Sequence, residues 1–330
     1  MPRITVAMPA HNAAPYISEA VDSILGQTCR DFELLVVDDG STDDTARRVE
    51  TYADRRIRLI RLGSNQGRAA ARNAALEEAR GAYLAWMDAD DIAMPRRLEK
   101  QAAFLEAHPD VDVCGGWLQY FHQSEALERF PATPEEVRAA TVFGAAVVNG
   151  CSMLRLEVLR AHGLRFDLAL ERAEDFAFWA DMLLGARRRA ANLPEVLLRY
   201  RYFRRPFAPQ WHVRALLGHV FPLLGLSFPQ RGGAEAGSAE AALHAGLIYA
   251  PLKAHCARHG APALLRWLDR LWRGYSETFG AEPAFQRYIL FFAGKILSLT
   301  PDREEAAAVF RALDMAGLAK DQGRGGGRRP

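Results

Sequence analysis

The chain has 330 residues, 49% hydrophobic and 25% charged, which is enough apolar material for one large domain or two moderate ones. A formal net charge of +2 excludes a strong field directed at nucleic acid. Four scattered cysteines, at 29, 114, 151 and 256, form no Cys-x-x-Cys pair, which excludes zinc-ribbon and thioredoxin-like chemistry and suits a reducing compartment.

The elements alternate in type along the first two hundred residues. Ile4 to Met8 predicts a buried strand stopped by Pro9. Ile17, Ala20, Val21, Ile24 and Leu25 recur at helical spacing. Phe32 to Val37 predicts a second strand, ending in Asp38-Asp39-Gly40. Ser41, with Asp44 three residues on, predicts an N-cap for a helix through Tyr52. A short strand at Ile57 to Ile60, an Ala-rich helix at Gly67 to Arg80 and a strand at Ala82 to Met87 follow. A helix marked by Leu98, Ala102 and Leu105 closes at His108-Pro109, and Val111 to Phe121 predicts another strand.

This alternation predicts an α/β fold, a mostly parallel sheet with helices on both faces. Residues 1–205 would form that domain. Pro206 and Pro209 mark a linker into a helical subdomain, 206–320, whose faces are Ile289, Phe292, Ala293, Ile296, Leu297 and then Ala306, Val309, Phe310, Leu313. Residues 321–330, rich in Gly and Arg, predict a disordered tail. The longest apolar runs, near 139–154 and 220–228, are too short or too broken for a membrane span, and the immediate entry into a strand leaves no room for a secretory signal. The reading is a cytoplasmic chain, with peripheral contact at the inner face of a membrane left open.

The polar clusters fall after the strands, where ligands bind in such sheets. Asp88-Ala89-Asp90-Asp91 ends the strand Tyr83-Leu84-Ala85-Trp86-Met87. Two carboxylates one residue apart can reach one hard cation, Mg²⁺ or Mn²⁺, which keeps positions open for phosphate oxygens. The plain alternative is a solvated turn with capping aspartates, but the end of a central strand disfavours mere surface. Asp39 could accept the imide N–H of a uracil or thymine ring. Arg68 and Arg72 lie one helical turn apart beyond Asn65-Gln66-Gly67 and can face one pocket; the alternative is a solvated basic face. Glu174-Asp175 opens a helix with the apolar face Phe176, Trp179, Ala180, Leu183 and Leu184. The helix dipole alone favours acids there. The functional reading is a general base for an acceptor hydroxyl, and one base without a nucleophilic carboxylate predicts inversion.

Several blocks in order resemble the family 2 glycosyltransferases: Met8-Pro9-Ala10-His11-Asn12, Ser23 to Thr28, Asp31 to Asp43, Asn65-Gln66-Gly67, Ala71-Arg72-Asn73, Met87 to Asp91 and Glu174-Asp175. The resemblance covers about Ile4 to Arg201. It implies a GT-A fold and inverting, metal-dependent transfer of a sugar from a nucleotide-sugar donor to a glycan, lipid-linked or small-molecule acceptor. It further implies that Pro9 and Ala10, with Asn12 in the same block, line the nucleotide pocket, Asp39 holds the base and Arg72 sits near base or diphosphate; Arg68 joins this set on its helix position alone. Asp88 would contact ribose or metal, Asp90 would be the main ligand of Mn²⁺ or Mg²⁺, Asp91 would be structural, and Asp175 would be the base supported by Glu174.

Two positions depart from the family's pattern. Asn149 stands where a His is frequent, and Tyr200-Arg201 is followed by Tyr202-Phe203 where a His is frequent. Both bear on the acceptor side and on any third metal ligand. Asp39 points to a uridine or thymidine donor, with guanosine left open. Other classes are a transferase fold that has lost turnover and acts as a scaffold, and a nucleotidyltransferase. The second usually needs a Gly-rich phosphate loop, which Pro9 to Ala14 lacks.

Overall fold

The computed structural model describes residues 2–204, 215–226, 244, 247, 252–299 and 304. Pro206, Pro209, the helix face expected from Ala306 to Leu313 and the tail from residue 321 lie outside these residues. The described chain forms two compact units. One comprises 2–141 and 145–204; the other comprises Val142–Gly144 and the described residues from 215 onward.

The first unit is built on one sheet. Its strands are β1 (Ile4–Ala10), β2 (Phe32–Asp39), β3 (Ile57–Leu62), β4 (Tyr83–Trp86), β5 (Ile92–Ala93), β6 (Val113–His122), β7 (Leu127–Glu128), β8 (Met153–Arg155) and β9 (Ala190–Tyr202). Their order is β3-β2-β1-β4-β8-β6-β9-β5, with β7 on β6. The long ladders are parallel: β1 with β2 and β4, β2 with β3, and β6 with β9. β8 joins the two parallel blocks by antiparallel pairing to β4 and β6. The helices are α1 (Ile17–Leu25), α2 (Thr45–Glu50), α3 (Arg68–Glu78), α4 (Arg97–Ala107), α5 (Pro134–Thr141), α6 (Leu156–His162) and α7 (Glu174–Ala180).

Burial follows from side-chain pattern. Every residue of β2 is buried, as a strand covered on both faces requires, whereas β3 at the sheet edge is mostly half-buried. α1 buries Ile17, Ala20, Val21 and Ile24, the stripe its spacing predicts. α3 buries Ala69, Ala71 and Ala75; alanine favours the helix and its small side chain lets the helix lie close on β1 and β2.

Two local expectations need correction. Pro9 does not stop β1, which runs to Ala10. Pairing with β4 ends at Ala7 while pairing with β2 continues to Ala10, so on the β4 side no ladder bond is asked of Pro9. Ser41 does not cap a helix. α2 begins at Thr45 after Asp44, and the Ser41 hydroxyl instead accepts the Asn12 N–H at 2.9 Å. Asp43 does the local work, accepting the Thr45 N–H at 2.9 Å.

The second unit contains α8 (Leu252–His259), α9 (Ala261–Phe279) and α10 (Pro283–Leu299). α9 buries Leu264, Leu265, Leu268, Leu271 and Tyr275, and α10 buries Phe285, Ile289, Ala293 and Ile296. The Tyr275 and Phe285 rings stack at 3.8 Å. Among the described residues no helix is long and apolar enough to cross a membrane.

His244 is fully buried in this unit. Its Nε2 lies 2.7 Å from the Val142 carbonyl, so it carries the proton, and Nδ1 accepts from the Trp267 indole at 3.3 Å. Both bonds use the neutral ring. Burial depresses its pKa from 6.5 to about 4, against a smaller opposing contribution from the Val142 bond. The unfolded chain therefore binds the proton first. The stabilisation is fully present above pH 6.5 and is lost as pH falls towards 4, by on the order of 3 kcal/mol. Denaturant titration of the full chain at pH 7.5, 5.5 and 4.5 should show this loss, and His244→Phe should flatten it.

Candidate active site

The parallel strands β1, β2 and β4 deliver Ala10, Asp38-Asp39 and Met87-Asp88 to one edge of the sheet. His11 stitches the loops there. Its Nδ1 is 2.7 Å from the Asp39 carbonyl. Its Nε2 is 3.0 Å from the Asn65 amide nitrogen and 3.2 Å from that of Asn12. Amide nitrogens only donate, so Nε2 accepts and Nδ1–H donates to Asp39. Asn12, at φ 49°, accepts the Thr42 N–H at 2.9 Å. Pro9 is half-buried and Ala10 buried.

Asp39 is only 3% exposed. Its two oxygens accept the Gln66 N–H at 2.7 Å and the Gly67 N–H at 2.9 Å, which fixes the entry to α3. Each oxygen retains a second acceptor position. The contact is tight: a Cβ on Gly40, at φ +61°, would lie 2.4 Å from the Ser64 carbonyl carbon.

The acidic turn is supported from below and from one side. Arg97, fully buried, donates to the Trp86 carbonyl at 2.6 Å, the Ser152 carbonyl at 3.3 Å and the Gln101 side chain at 3.1 Å. Gln101 in turn donates to the Cys114 and Cys151 carbonyls, both at 2.8 Å. On the side, the Arg201 backbone N–H reaches Asp91 Oδ1 at 2.7 Å and its Nε reaches the Asp90 carbonyl at 2.8 Å. The Arg201 guanidinium pairs with Glu19 and lies over the Tyr16 and Phe121 rings. Asp91 is 1% exposed. Burial, then the charges of Asp88 and Asp90, hold its carboxyl well above the usual range. Asp88 and Asp90 remain half-buried.

Arg72 joins this turn to the second acidic cluster. Its Nη1 is 2.5 Å from Glu174 Oε1 and its Nη2 is 3.7 Å from Asp88 Oδ1, with the Phe166 ring 5.3 Å from the guanidinium carbon. Burial opposes its charge, but Asp88, Asp175 and Glu174 together raise its pKa. Glu174 is 2% exposed; burial and then Asp175 raise its pKa, against the pull of Arg72. Ala173, immediately before, takes a left-handed conformation at φ 59°, which costs a residue with a Cβ about 1–2 kcal/mol. Such strain concentrates at functional sites, and here it starts α7 with the acidic pair. Asp175 is half-buried and accepts the Phe176 N–H at 2.8 Å. Arg68 is exposed, close enough to Glu174 to act on its charge.

The structure thus brings Arg72, Asp88, Glu174 and Asp175 together and sets Asp90 beside them. Asp39 and Asn12 serve the neighbouring loops. Several contributors escaped the sequence reading. His11, Arg97 and Gln101 each look like an ordinary polar residue in one dimension. Tyr200 is another: burial, then Asp88, Asp91, Asp90 and Asp175, raise its phenol. The block Met87 to Asp91 followed by Pro95-Arg96-Arg97 was the available signal for Arg97.

Comparison with known proteins bears on the family and the fold. The sequence profile of Glycosyl transferase family 2 matches residues 5–163. An uncharacterized glycosyltransferase of Haemophilus influenzae is 33% identical over 214 residues, 61% of this chain and 65% of that protein. EpsE of Bacillus subtilis, which carries a glycosyltransferase name, is 35% identical over 206 residues, 61% of this chain and 73% of that protein. The structure of Staphylococcus aureus TarS residues 1–349 with UDP has a TM-score of 0.58 at 20% identity, covering 99% of this chain and 93% of that one. The mannosyltransferase PcManGT of Pyrobaculum calidifontis with GDP-Man and Mn²⁺ has a TM-score of 0.52 at 23% identity, covering 98% and 88%. These last two likenesses speak to the fold, which is that of GT-A glycosyltransferases. The shared sequence with EpsE and the matched profile establish the rest: the chain is a glycosyltransferase and belongs to family 2.

Proposed function

We propose that this enzyme transfers a sugar from a UDP- or dTDP-linked donor to an acceptor hydroxyl with inversion, in glycan or polysaccharide biosynthesis, using a divalent cation at the acidic turn and Asp175 as general base. One observation carries the reading: buried Arg72 contacts Glu174 and Asp88, so the acidic turn and the start of α7 meet at one point.

The residues at the turn fit a hard divalent cation. Among the described residues no group of three His, Cys, Asp or Glu side chains forms a metal cage. Two half-buried carboxylates, Asp88 and Asp90, beside a third whose protonation is favoured by burial and then by their charge, suit an ion that keeps other positions for phosphate oxygens and water. Mn²⁺ or Mg²⁺ bound there would supply charge neutralisation for the leaving diphosphate. The donor preference rests on Asp39, whose oxygens each retain an acceptor position for an imide N–H, and the Pro9, Ala10 and Asn12 segment beside it would complete the nucleotide pocket. Arg68 and Arg72 would face the diphosphate.

Asp175 suits the base better than its neighbour. Glu174 is buried and committed to Arg72, so its role is to position that guanidinium. Asp175 is partly open and can take the proton from an acceptor hydroxyl as the bond to the sugar forms. With Glu174 enclosed and Asp88 and Asp90 assigned to the cation, no carboxylate is left on this reading for the role of nucleophile, which fits inversion.

A screen of UDP-, dTDP- and GDP-sugars with Mn²⁺ and saccharide acceptors, reading nucleoside diphosphate release, identifies the donor. With that donor, Asp175→Asn should bind nucleoside diphosphate as the wild type does while transfer falls by about 10²–10⁴-fold; unchanged turnover would remove Asp175 as the base. Glu174→Gln should cost about 3 kcal/mol of stability by stranding Arg72. Combined with Arg72→Met it should cost clearly less than the sum of the two single changes; additive losses in urea titrations would contradict the pairing.

A further inference from the structure

We propose that the Asn149 side chain is a substrate-binding group of this enzyme, one that hydrogen-bonds a hydroxyl of a reacting sugar; the inference rests on the transferase reading above. Asn149 is 4% exposed, and its side-chain oxygen and nitrogen are both buried without a hydrogen-bond partner. An amide left so costs about 1–3 kcal/mol for each unpaired group, and native proteins rarely keep one without a use.

The backbone around it is fixed. Asn149–Cys151 form a single 3₁₀ turn. The Asn149 carbonyl accepts the Ser152 N–H at 3.1 Å and the Ser152 hydroxyl at 2.8 Å. The Trp86 N–H donates to the Ser152 carbonyl at 2.9 Å, which fastens the turn to the end of β4. The Asn149 carbonyl is thus engaged while both polar atoms of its side chain are not.

The turn abuts the acidic motif. A Cβ on Gly150 would lie 2.7 Å from Asp88 Oδ2, so only glycine fits without displacing that carboxylate. Consecutive Cα atoms are about 3.8 Å apart, which puts the Asn149 Cα within about 8 Å of the Asp88 carboxylate. Other buried polar atoms without partners lie in the same region: Arg72 Nε, Trp86 Nε1 and Asp91 Oδ2. Asn149 differs from these in leaving both a donor and an acceptor of one side chain unengaged.

A primary amide offers one donor group and one acceptor. A sugar hydroxyl, which also donates and accepts, matches both at once. A phosphate oxygen would leave the amide oxygen unpaired. The hydroxyl belongs either to the sugar being transferred or to a saccharide acceptor, and kinetics separates the two.

The test compares wild type with Asn149→Leu, close in shape and apolar, and Asn149→Ala. A ligand group that is unpaired in the free enzyme predicts that Tm measured without ligand is unchanged or higher in Asn149→Leu. It also predicts unchanged UDP affinity and a 10- to 100-fold loss of kcat/KM for transfer. A rise in KM for the donor, with release of nucleoside diphosphate to water equally impaired, assigns the hydroxyl to the donor sugar. A rise in KM for the acceptor with release to water unchanged assigns it to the acceptor. In either case the substrate lacking that hydroxyl should react equally with wild type and variant. Unchanged transfer kinetics overturns the proposal. So does a fall in Tm in both variants with activity lost only in proportion to the unfolded fraction, which would make Asn149 a structural residue. A wild type that neither binds nor turns over any nucleotide sugar would instead refute the underlying transferase reading, and UDP titration distinguishes that case.

Discussion

A guanidinium that is 6% exposed has to be met by negative charge or by hydrogen-bond acceptors, because arginine does not shed its proton in a protein. Arg72 meets that requirement with carboxylates from two distant parts of the chain, Asp88 after β4 and Glu174 at the start of α7. The constraint runs both ways. Buried Glu174, its acidity weakened by burial and by Asp175, depends on Arg72 to remain an anion. Moving any one of the three segments would strand a charge, a penalty of several kcal/mol. The rest of the site is built on this clamp.

Around it the fold arranges rigid supports. Arg97 and Gln101 use five hydrogen bonds to carbonyl oxygens and to each other to tie the end of β4 to β6 and to Cys151 and Ser152, just before β8. His11 and Asp39 lock the loops after β1, β2 and β3 to one another. These bonds leave Asp88, Asp90 and Asp175 as the less enclosed carboxylates of the region, set on a frame that resists repacking. The unsatisfied polar atoms near the turn mark where that frame stops providing partners for itself. Local rules are violated at functional sites more than elsewhere, and the strained backbone at Ala173 fits the same pattern.

Much of this was legible in one dimension, for identifiable reasons. β1, β2 and β4 read clearly because they are short, apolar and lead into polar residues. Their common direction followed from the intervening helices, so the convergence of Asp39 and Asp88 was available from sequence. β9 was not. It pairs with β6, some seventy residues away, and its register jumps near Pro194, where Leu193 and Val196 face successive residues of β6. A proline inside an apolar run argues against a strand, and only the bulge makes it tolerable. Ser41 illustrates the reverse case: its pattern fits a cap, but the Asn12 N–H claims its hydroxyl. Arg97 and His11 were invisible as supports because their partners are backbone groups and neighbouring loops.

The central claim is that the clamped acidic turn binds a nucleoside diphosphate through a divalent cation. Calorimetric titration of the full chain with UDP, once in Mn²⁺ and once after exchange into EDTA, tests it most directly. The account predicts saturable binding in Mn²⁺ that weakens at least tenfold, about 1.4 kcal/mol, when the ion is removed. Equal UDP affinity in the two buffers would contradict it.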